Sequence, residues 1–379
     1  MSLTLHWYLP TSGDGRTLAT ADSPLLERLD RDSPGRAPTI DYLAQIARSA
    51  EQVGFDAALI PTGTWCADAW IVAAALSQVT ERLRFLVAFR PGQIAPTLAA
   101  QQAATFQRVS GGRLLLNIVT GGEEAEQRRY GDLLDKDERY ARTDEFLEIV
   151  RGVWTGEPFT YSGKHLSVEG ALVVDPPPPP GIYFGGSSAA ALPVAARHSD
   201  VYLTWGEPPA QAAVKIERVR ELAEAAGREI RFGIRMHVVA RDTTAEAWAA
   251  ADRLLDGLGD ADIEAAQQLL RQSGSEGQRR MLALHGGRRD DLVVYPNVWA
   301  GVGLVRGGAG TALVGSHEEV AERIAEYASV GFDEFIFSGY PHLEEVYNVG
   351  EGVMPVLRRE GLLRSSTNAH AAPLAAVAT

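Results

Sequence analysis

Eight short apolar segments recur along the chain, separated by stretches of helical spacing, and this alternation limits the available folds more than any other feature. Leu3–Pro10, Ala57–Ile60, Leu83–Phe89 and Leu114–Val119 read as strands, as do Ile182–Phe184, Val201–Thr204, Arg231–Val239 and Glu334–Ser338. Between them apolar residues recur three and four apart, as at Leu43, Ile46, Ala47 and Ala50 within Ile40–Val53. The same spacing predicts helices over Ala67–Leu76, Pro96–Val109, Glu138–Trp154, Ser188–Arg197, Pro209–Ala226, Ala245–Leu258, Glu318–Val330 and His342–Leu357. Strands alternating with helices demand a parallel sheet with right-handed crossovers. Eight strands close it, so the expected fold is α/β, a (β/α)8 TIM barrel with insertions. An open doubly wound sheet is the alternative, but the first strand-to-helix turn, Pro10–Gly15, contains no G-x-G-x-x-G.

One barrel domain is expected over residues 1–364, which suits a chain of 379 residues. A polar, proline-bearing insert occupies 21–38, and a long insert fills 259–315. The glycine-rich end of the second, 286–315, reads as a lid. A small hairpin is expected around Ser162–Gly163, followed by a stiff linker, Pro176–Pro180. The alanine-rich stretch 365–379 reads as a flexible tail.

The net charge of −13 argues against a nucleic-acid partner. It does not exclude an anionic substrate, because a few arginines in a cleft set the local potential. Cys66 is the one cysteine, so no intramolecular disulfide can form, in keeping with a reducing compartment. Neither a signal-peptide pattern nor an apolar run approaching the ~20 residues of a membrane span is present. These features lead us to expect a soluble, cytoplasmic protein. No metal-ligand motif occurs, and no metal site is expected.

A barrel carries its site at the C-terminal ends of its strands. Strand five is followed by Gly185-Gly186-Ser187-Ser188, where glycine admits a close phosphate and serine supplies donors at a helix start. A plain turn with a serine cap is the alternative there. Arg235 and His237 alternate on strand seven and share one face. Such a pair points to an anion, or to a structural ion pair with one of the 49 acids. Arg306, among glycines, reads as a mobile finger or as a solvent loop. Trp205 reads as a pocket wall, and Cys66 by itself as a core filler rather than a nucleophile.

Six blocks then carry a resemblance: Ala58–Cys66, Tyr183–Ser188, Tyr202–Pro209, Phe232–Val238, Asn297–Gly315 and Ser338–Glu345. Over roughly residues 1–358 the chain resembles the alkanesulfonate monooxygenases of the bacterial luciferase-like flavin group. The resemblance implies a homodimer or homotetramer. It implies reduced FMN as a diffusible co-substrate, supplied by a separate NAD(P)H-dependent FMN reductase. With O2, such an enzyme splits the C–S bond of an alkanesulfonate into an aldehyde and sulfite, for sulfur acquisition. On these motifs Arg235, His237, Arg306, Tyr340 and Trp205 fall on sulfonate and catalytic positions. Gly186, Ser187, Ser188 and Tyr140 fall on FMN phosphate positions, Asn117 on a contact to the flavin body, and Cys66 near the flavin.

Two loops depart from the family pattern. Ser12 stands where histidine is usual, and Thr64-Trp65-Cys66-Ala67-Asp68 replaces Arg-Ser-Cys-Glu-Asp. These changes bear on the substrate's R group and on contacts to the flavin. Related expectations are a flavin oxygenase acting on a sulfone or another substrate, a deazaflavin-dependent dehydrogenase, and a non-catalytic organosulfonate-binding protein. A lid would exclude water, two arginines would orient a sulfonate, and His237 and Tyr340 would handle protons in roles the sequence leaves open.

Overall fold

The structure is a computed structural model and describes residues 2–20 and 35–364. Most of the 21–38 insert, and all of the 365–379 tail, lie outside the described residues.

Eight parallel strands close a barrel. They are β1 (Thr4–Tyr8), β2 (Ala57–Ile60), β3 (Arg84–Phe89), β4 (Leu114–Ile118), β5 (Gly181–Gly185), β6 (Val201–Trp205), β7 (Arg231–Arg241) and β8 (Glu334–Ser338). Closure comes from β8, which pairs with β1 from Thr4↔Glu334 to Trp7↔Phe337 and with β7 from Glu334↔Gly233 to Ser338↔His237. The expected (β/α)8 barrel is therefore the observed fold.

Strand side chains alternate between two cores, as the pleat requires. Tyr8, Ala57, Leu59, Leu86, Leu115, Tyr183, Val201 and Ile336 fill the barrel interior. Their neighbours, such as Trp7, Ala58, Phe85, Phe184, Met236 and Phe337, pack outward against the helices. Burial on both faces is why these strands read as continuous apolar runs. The N-terminal end of the barrel is plugged by polar side chains. Glu334 accepts hydrogen bonds from Tyr183 Oη (2.7 Å) and His6 Nε2 (2.9 Å) and pairs with Arg231. Burial alone would raise the Glu334 carboxyl, but His6 and Arg231 bring it below its usual range.

The helices begin and end where the sequence supplies caps. Thr39 caps Ile40–Val53, which closes on Gly54 in a left-handed conformation, and Asp68 caps Ala69–Ser77. The expected hairpin is present, Phe159–Ser162 against Ser167–Ala171. The proline linker is stapled by Trp154 Nε1 to Pro177 O (2.7 Å) and by Gln107 Nε2 to Pro178 O (3.1 Å). His342–Leu357 is not one regular helix. A π-helical turn, Asn348–Val353, separates His342–Tyr347 from Met354–Arg359.

Between residues 259 and 317 the sequence pattern predicts no element, yet the structure holds several. Two helices, Asp260–Arg271 and Glu276–His285, are followed by a hairpin of Val293–Tyr295 and Val298–Trp299. A 3-10 turn, Gly301–Leu304, leads on to a strand, Ala312–Ser316. That strand runs parallel to the far half of β7, from Ala312↔His237 to Ser316↔Arg241. Trp299, Val302, Leu304 and Val305 are buried, so the glycine-rich segment has an apolar core of its own.

Candidate functional site

The mouth of the barrel is built by the last inward-facing residues of its strands. Tyr8 ends β1, and Arg235 and His237 lie on one face of β7. The Arg235 guanidinium carbon lies 4.2 Å from the centre of the Tyr8 ring. Its Nε is buried without a hydrogen-bond partner, and among the described residues no carboxylate lies within ion-pair distance. Burial lowers the Arg235 pKa, and Arg306 lowers it further. Among the described residues this cation is short of a counter-charge.

Arg306 reaches the same place from the long insert. Its guanidinium carbon is 6.0 Å from the Tyr8 ring centre and 5.7 Å from that of Tyr340. Tyr340 follows β8 and stacks on His237, with ring centres 5.4 Å apart and planes at 19°. Its hydroxyl is buried without a partner among the described residues, and burial pushes its pKa up to about 12. The phenol therefore keeps its proton at neutral pH.

Both nitrogens of His237 are engaged. Nε2 is 3.1 Å from Ala309 O and Nδ1 is 2.9 Å from Ser338 Oγ. A carbonyl can only accept, so Nε2 carries the proton and Nδ1 accepts from the serine. Burial, then Arg306 and Arg235, hold the His237 pKa well below its ordinary value. The imidazole is neutral and fixed. His342 closes the cluster: its ring meets Tyr340 edge-on at 5.5 Å and lies 5.8 Å from that of Tyr8. Its backbone N–H donates to Asp14 Oδ2 (2.8 Å), tying β8 to the first loop, and Tyr42 Oη donates to the same oxygen.

A second group of candidates gathers after β5. Tyr202 Oη donates to Gly186 O (2.8 Å), and Tyr140 lies buried beside Ser188. A Cβ at residue 186 would come within 2.8 Å of Ala191 Cβ and 3.0 Å of Tyr140 Oη, so glycine is needed for closeness. Among the described residues Ser188 Oγ is buried without a hydrogen-bond partner, just ahead of helix Ala191–His198. An orphaned hydroxyl, a phenol and a close-packed glycine at a helix start suit a phosphate group. Asn117 faces the barrel interior from β4, in register with Tyr183.

Cys66 sits on the β2 rim with its thiol 3.6 Å from Gly63 O and 3.7 Å from Pro61 O. Burial raises its pKa to about 11, so it stays a thiol and is a poor nucleophile. Beside it the departing loop is held by Glu126, which accepts from Thr64 N (3.0 Å) and pairs with the buried Arg90 at the end of β3. Trp205 ends β6 as the reading of the strand requires, and is half-buried under helix Glu276–His285. A Cβ at Gly277 would approach its ring to 2.9 Å.

The structure thus brings Arg235, His237, Arg306 and Tyr340 together around Tyr8. It places Gly186, Ser187, Ser188 and Tyr140 together after β5. Sequence reasoning missed Tyr8, Ser338 and His342 as members of the first group, and Arg90 with Glu126 on the opposite rim. Arg90 carried a signal, being a charged residue directly after an apolar strand. A hollow of about 440 Å³ at the other end of the barrel, lined by Arg84, Gln107, Leu115 and Pro178, contains none of these residues. Among the described residues no group of three or more His, Cys, Asp or Glu is placed to hold a metal, and no helix is long and apolar enough to cross a membrane.

The model of the luciferase-like monooxygenases matches residues 4–334. The chain belongs to that family. Solved structures agree on the fold. A riboflavin lyase with modified FMN and riboflavin superposes with a TM-score of 0.80 at 22% identity, over 97% of this chain and 94% of that one. A long-chain alkane monooxygenase gives 0.78 at 19%, over 97% and 94%. The EDTA monooxygenase of Chelativorans sp. BNC1 gives 0.74 at 20%, over 97% and 96%. As a luciferase-like monooxygenase, the chain presents its polar side chains where the barrel rule places function, at the C-terminal ends of the strands.

Proposed function

We propose that this chain is a two-component monooxygenase that uses reduced FMN and O2 to cleave the C–S bond of a small alkanesulfonate. One observation carries the reading: Arg235 is a guanidinium inside the barrel mouth, held by an aromatic face and lacking a carboxylate partner among the described residues. A cation in that setting calls for an anion, and its planar fork matches two oxygens of a sulfonate. Arg306 brings a second positive charge to the same ring.

Atoms and electrons balance as one alkanesulfonate, O2 and reduced FMN giving aldehyde, sulfite, a proton, water and FMN. One oxygen atom goes to the aldehyde carbon as the C–S bond breaks, and the other leaves as water. Ser187, Ser188, Gly186 and Tyr140 would hold the FMN phosphate, with Asn117 and the Cys66 loop against the ring. When bound, reduced FMN supplies the electron pair that activates oxygen.

The chain's own residues then bind, orient and shield. Arg235 and Arg306 grip the headgroup and so fix the carbon that bears sulfur. Trp205 and helix Glu276–His285 keep water from the mouth. Neutral His237, locked between Ala309 and Ser338, positions Tyr340 by stacking. Tyr340 Oη holds a proton and has no partner among the described residues, which suits it to donate one as charge develops nearby.

The reading brings with it a separate NAD(P)H-dependent FMN reductase, a cytoplasmic setting and a homodimer or homotetramer. Relatives described as alkane and EDTA monooxygenases support an oxygenation on this barrel. The test is sulfite release from short, long and aromatic sulfonates, with reduced FMN supplied by a reductase under air. Sulfite formed in step with aldehyde supports the proposal. No sulfite from any sulfonate, with turnover of a sulfone or another neutral organosulfur compound, overturns it.

A further inference from the structure

Two buried glutamines grip the segment that carries Arg306 from opposite sides. Gln267, on helix Asp260–Arg271, donates through Nε2 to Gly303 O (3.1 Å) and Leu304 O (2.7 Å). Gln278, on helix Glu276–His285, accepts through Oε1 from Gly308 N (3.0 Å). Both are almost completely buried, at 2% and 3% exposure. Arg306 itself is half-buried and Gly307 is exposed, so the arch between the two grips is open while its feet are fixed.

The feet stand on the anion site. A Cβ at Gly308 would lie 3.8 Å from Arg235 Nη1 and 4.0 Å from the Trp205 ring. Gly303 N also donates to Gly310 O (2.9 Å), which closes the base of the arch. A glycine-rich stretch loses more freedom on ordering than any other kind of chain. Something must supply the order that brings a guanidinium to the Tyr8 ring. The glutamines are well placed for this, because a buried amide with the wrong partner is costly and its partner is therefore well defined.

We propose that Gln267 and Gln278 are positioning residues that hold Arg306 over the anion site. The inference rests on the reading of Arg306 as a substrate-binding group. The two polarities differ: Gln267 works as a donor to carbonyls, and Gln278 as an acceptor from an N–H. The variants should therefore respond unequally to glutamate, which keeps the acceptor and loses the donor.

The experiment needs no substrate. Trypsin cleavage of the full-length protein at the Arg306–Gly307 bond is followed by mass spectrometry in the wild type and in Q267M, Q278M, Q267E and Q278E. Losing two hydrogen bonds, Q267M should be cut about 25-fold faster, and Q278M, losing one, about fivefold faster. Q267E should be cut at least as fast as Q267M, while Q278E should stay within about twofold of wild type. Melting curves identify any variant that loosens as a whole. Unchanged cleavage at residue 306 in Q267M and Q278M overturns the proposal, as does acceleration shared by all tryptic sites. Failure of every sulfonate to turn over would defeat the reading of Arg306 as a sulfonate ligand and leave the cleavage pattern as it stands.

Discussion

Arg235 rests on the face of Tyr8, its guanidinium carbon 4.2 Å from the ring centre, in the mouth of the barrel. The aromatic face offsets part of the cost of placing that cation away from bulk water, by roughly 0.5–2 kcal/mol for such a contact. Replacing Tyr8 by leucine should raise KM for an anionic substrate about three- to thirtyfold, with kcat changed less. Phenylalanine keeps the ring and should stay within about threefold of wild type. Steady-state sulfite assays with both variants decide the point; equal defects would mean that the hydroxyl, not the face, is what matters.

Arg235 should discriminate by geometry as well as by charge. Arg235→Ala is expected to lower kcat/KM for a sulfonate by about 10²-fold or more, the loss expected when a charged partner is left unpaired. Lysine restores the charge without the fork, so R235K should remain about tenfold impaired. Full rescue by lysine would show that only net charge is read.

Removing Arg306 takes away both a charge and a closing contact. We expect Arg306→Ala to cut turnover by about 10²-fold. Hydrogen peroxide formed per reduced FMN consumed should also rise, because water gains access. Both are measurable with an oxygen electrode and a peroxidase-coupled assay, and turnover near wild type would remove Arg306 from the mechanism.

The loop after β5 should govern flavin affinity. Ser188→Ala removes the orphaned hydroxyl and should weaken FMN binding about five- to tenfold. Gly186→Val drives a side chain against Ala191 and Tyr140 and should weaken it further. Quenching of flavin fluorescence on titration reads both. FMN binding unchanged in the two variants would place the phosphate elsewhere.

His285 gives a stability test by pH. Burial lowers its pKa from 6.5 to about 4. The unfolded chain therefore takes up its proton first as pH falls, so this residue's contribution is whole above pH 6.5 and is lost between about 6.5 and 4. Across that window the wild type should lose melting temperature faster than His285→Leu. Parallel curves for the two proteins would show that His285 titrates normally.

Much of the barrel was legible because its strands are apolar on both faces and its helices on one, so two periods alternate visibly along the chain. Arg235 and His237 were legible for the same reason, as polar residues two apart in an apolar strand. The helix Asp260–Arg271 was missed although Ile263, Ala266 and Leu270 recur at helical spacing, because polar residues surround them and glycines lie at both sides of the region. Strand Ala312–Ser316 was hidden by its shortness and by the glycines before it. Tyr8 looked like one more strand aromatic; only closure of the barrel, by β8 pairing with β1, brings it under a side chain from β7. Which nitrogen of His237 carries the proton is set by Ala309 and Ser338, which lie 72 and 101 residues away in sequence.

One edge of the eleven-residue β7 serves two neighbours in turn, β6 along Arg231–Arg235 and Ala312–Ser316 along His237–Arg241, while β8 pairs along the other edge from Gly233 to His237. Wall and arm are sewn together at that seam, where the His237 N–H also donates to Thr311 O (2.8 Å). A slip of one residue there would turn the arm's side chains over and carry Arg306 along by about 3.3 Å. Lengthening or shortening the chain just before residue 312 should therefore be far less forgiving than its glycine content suggests.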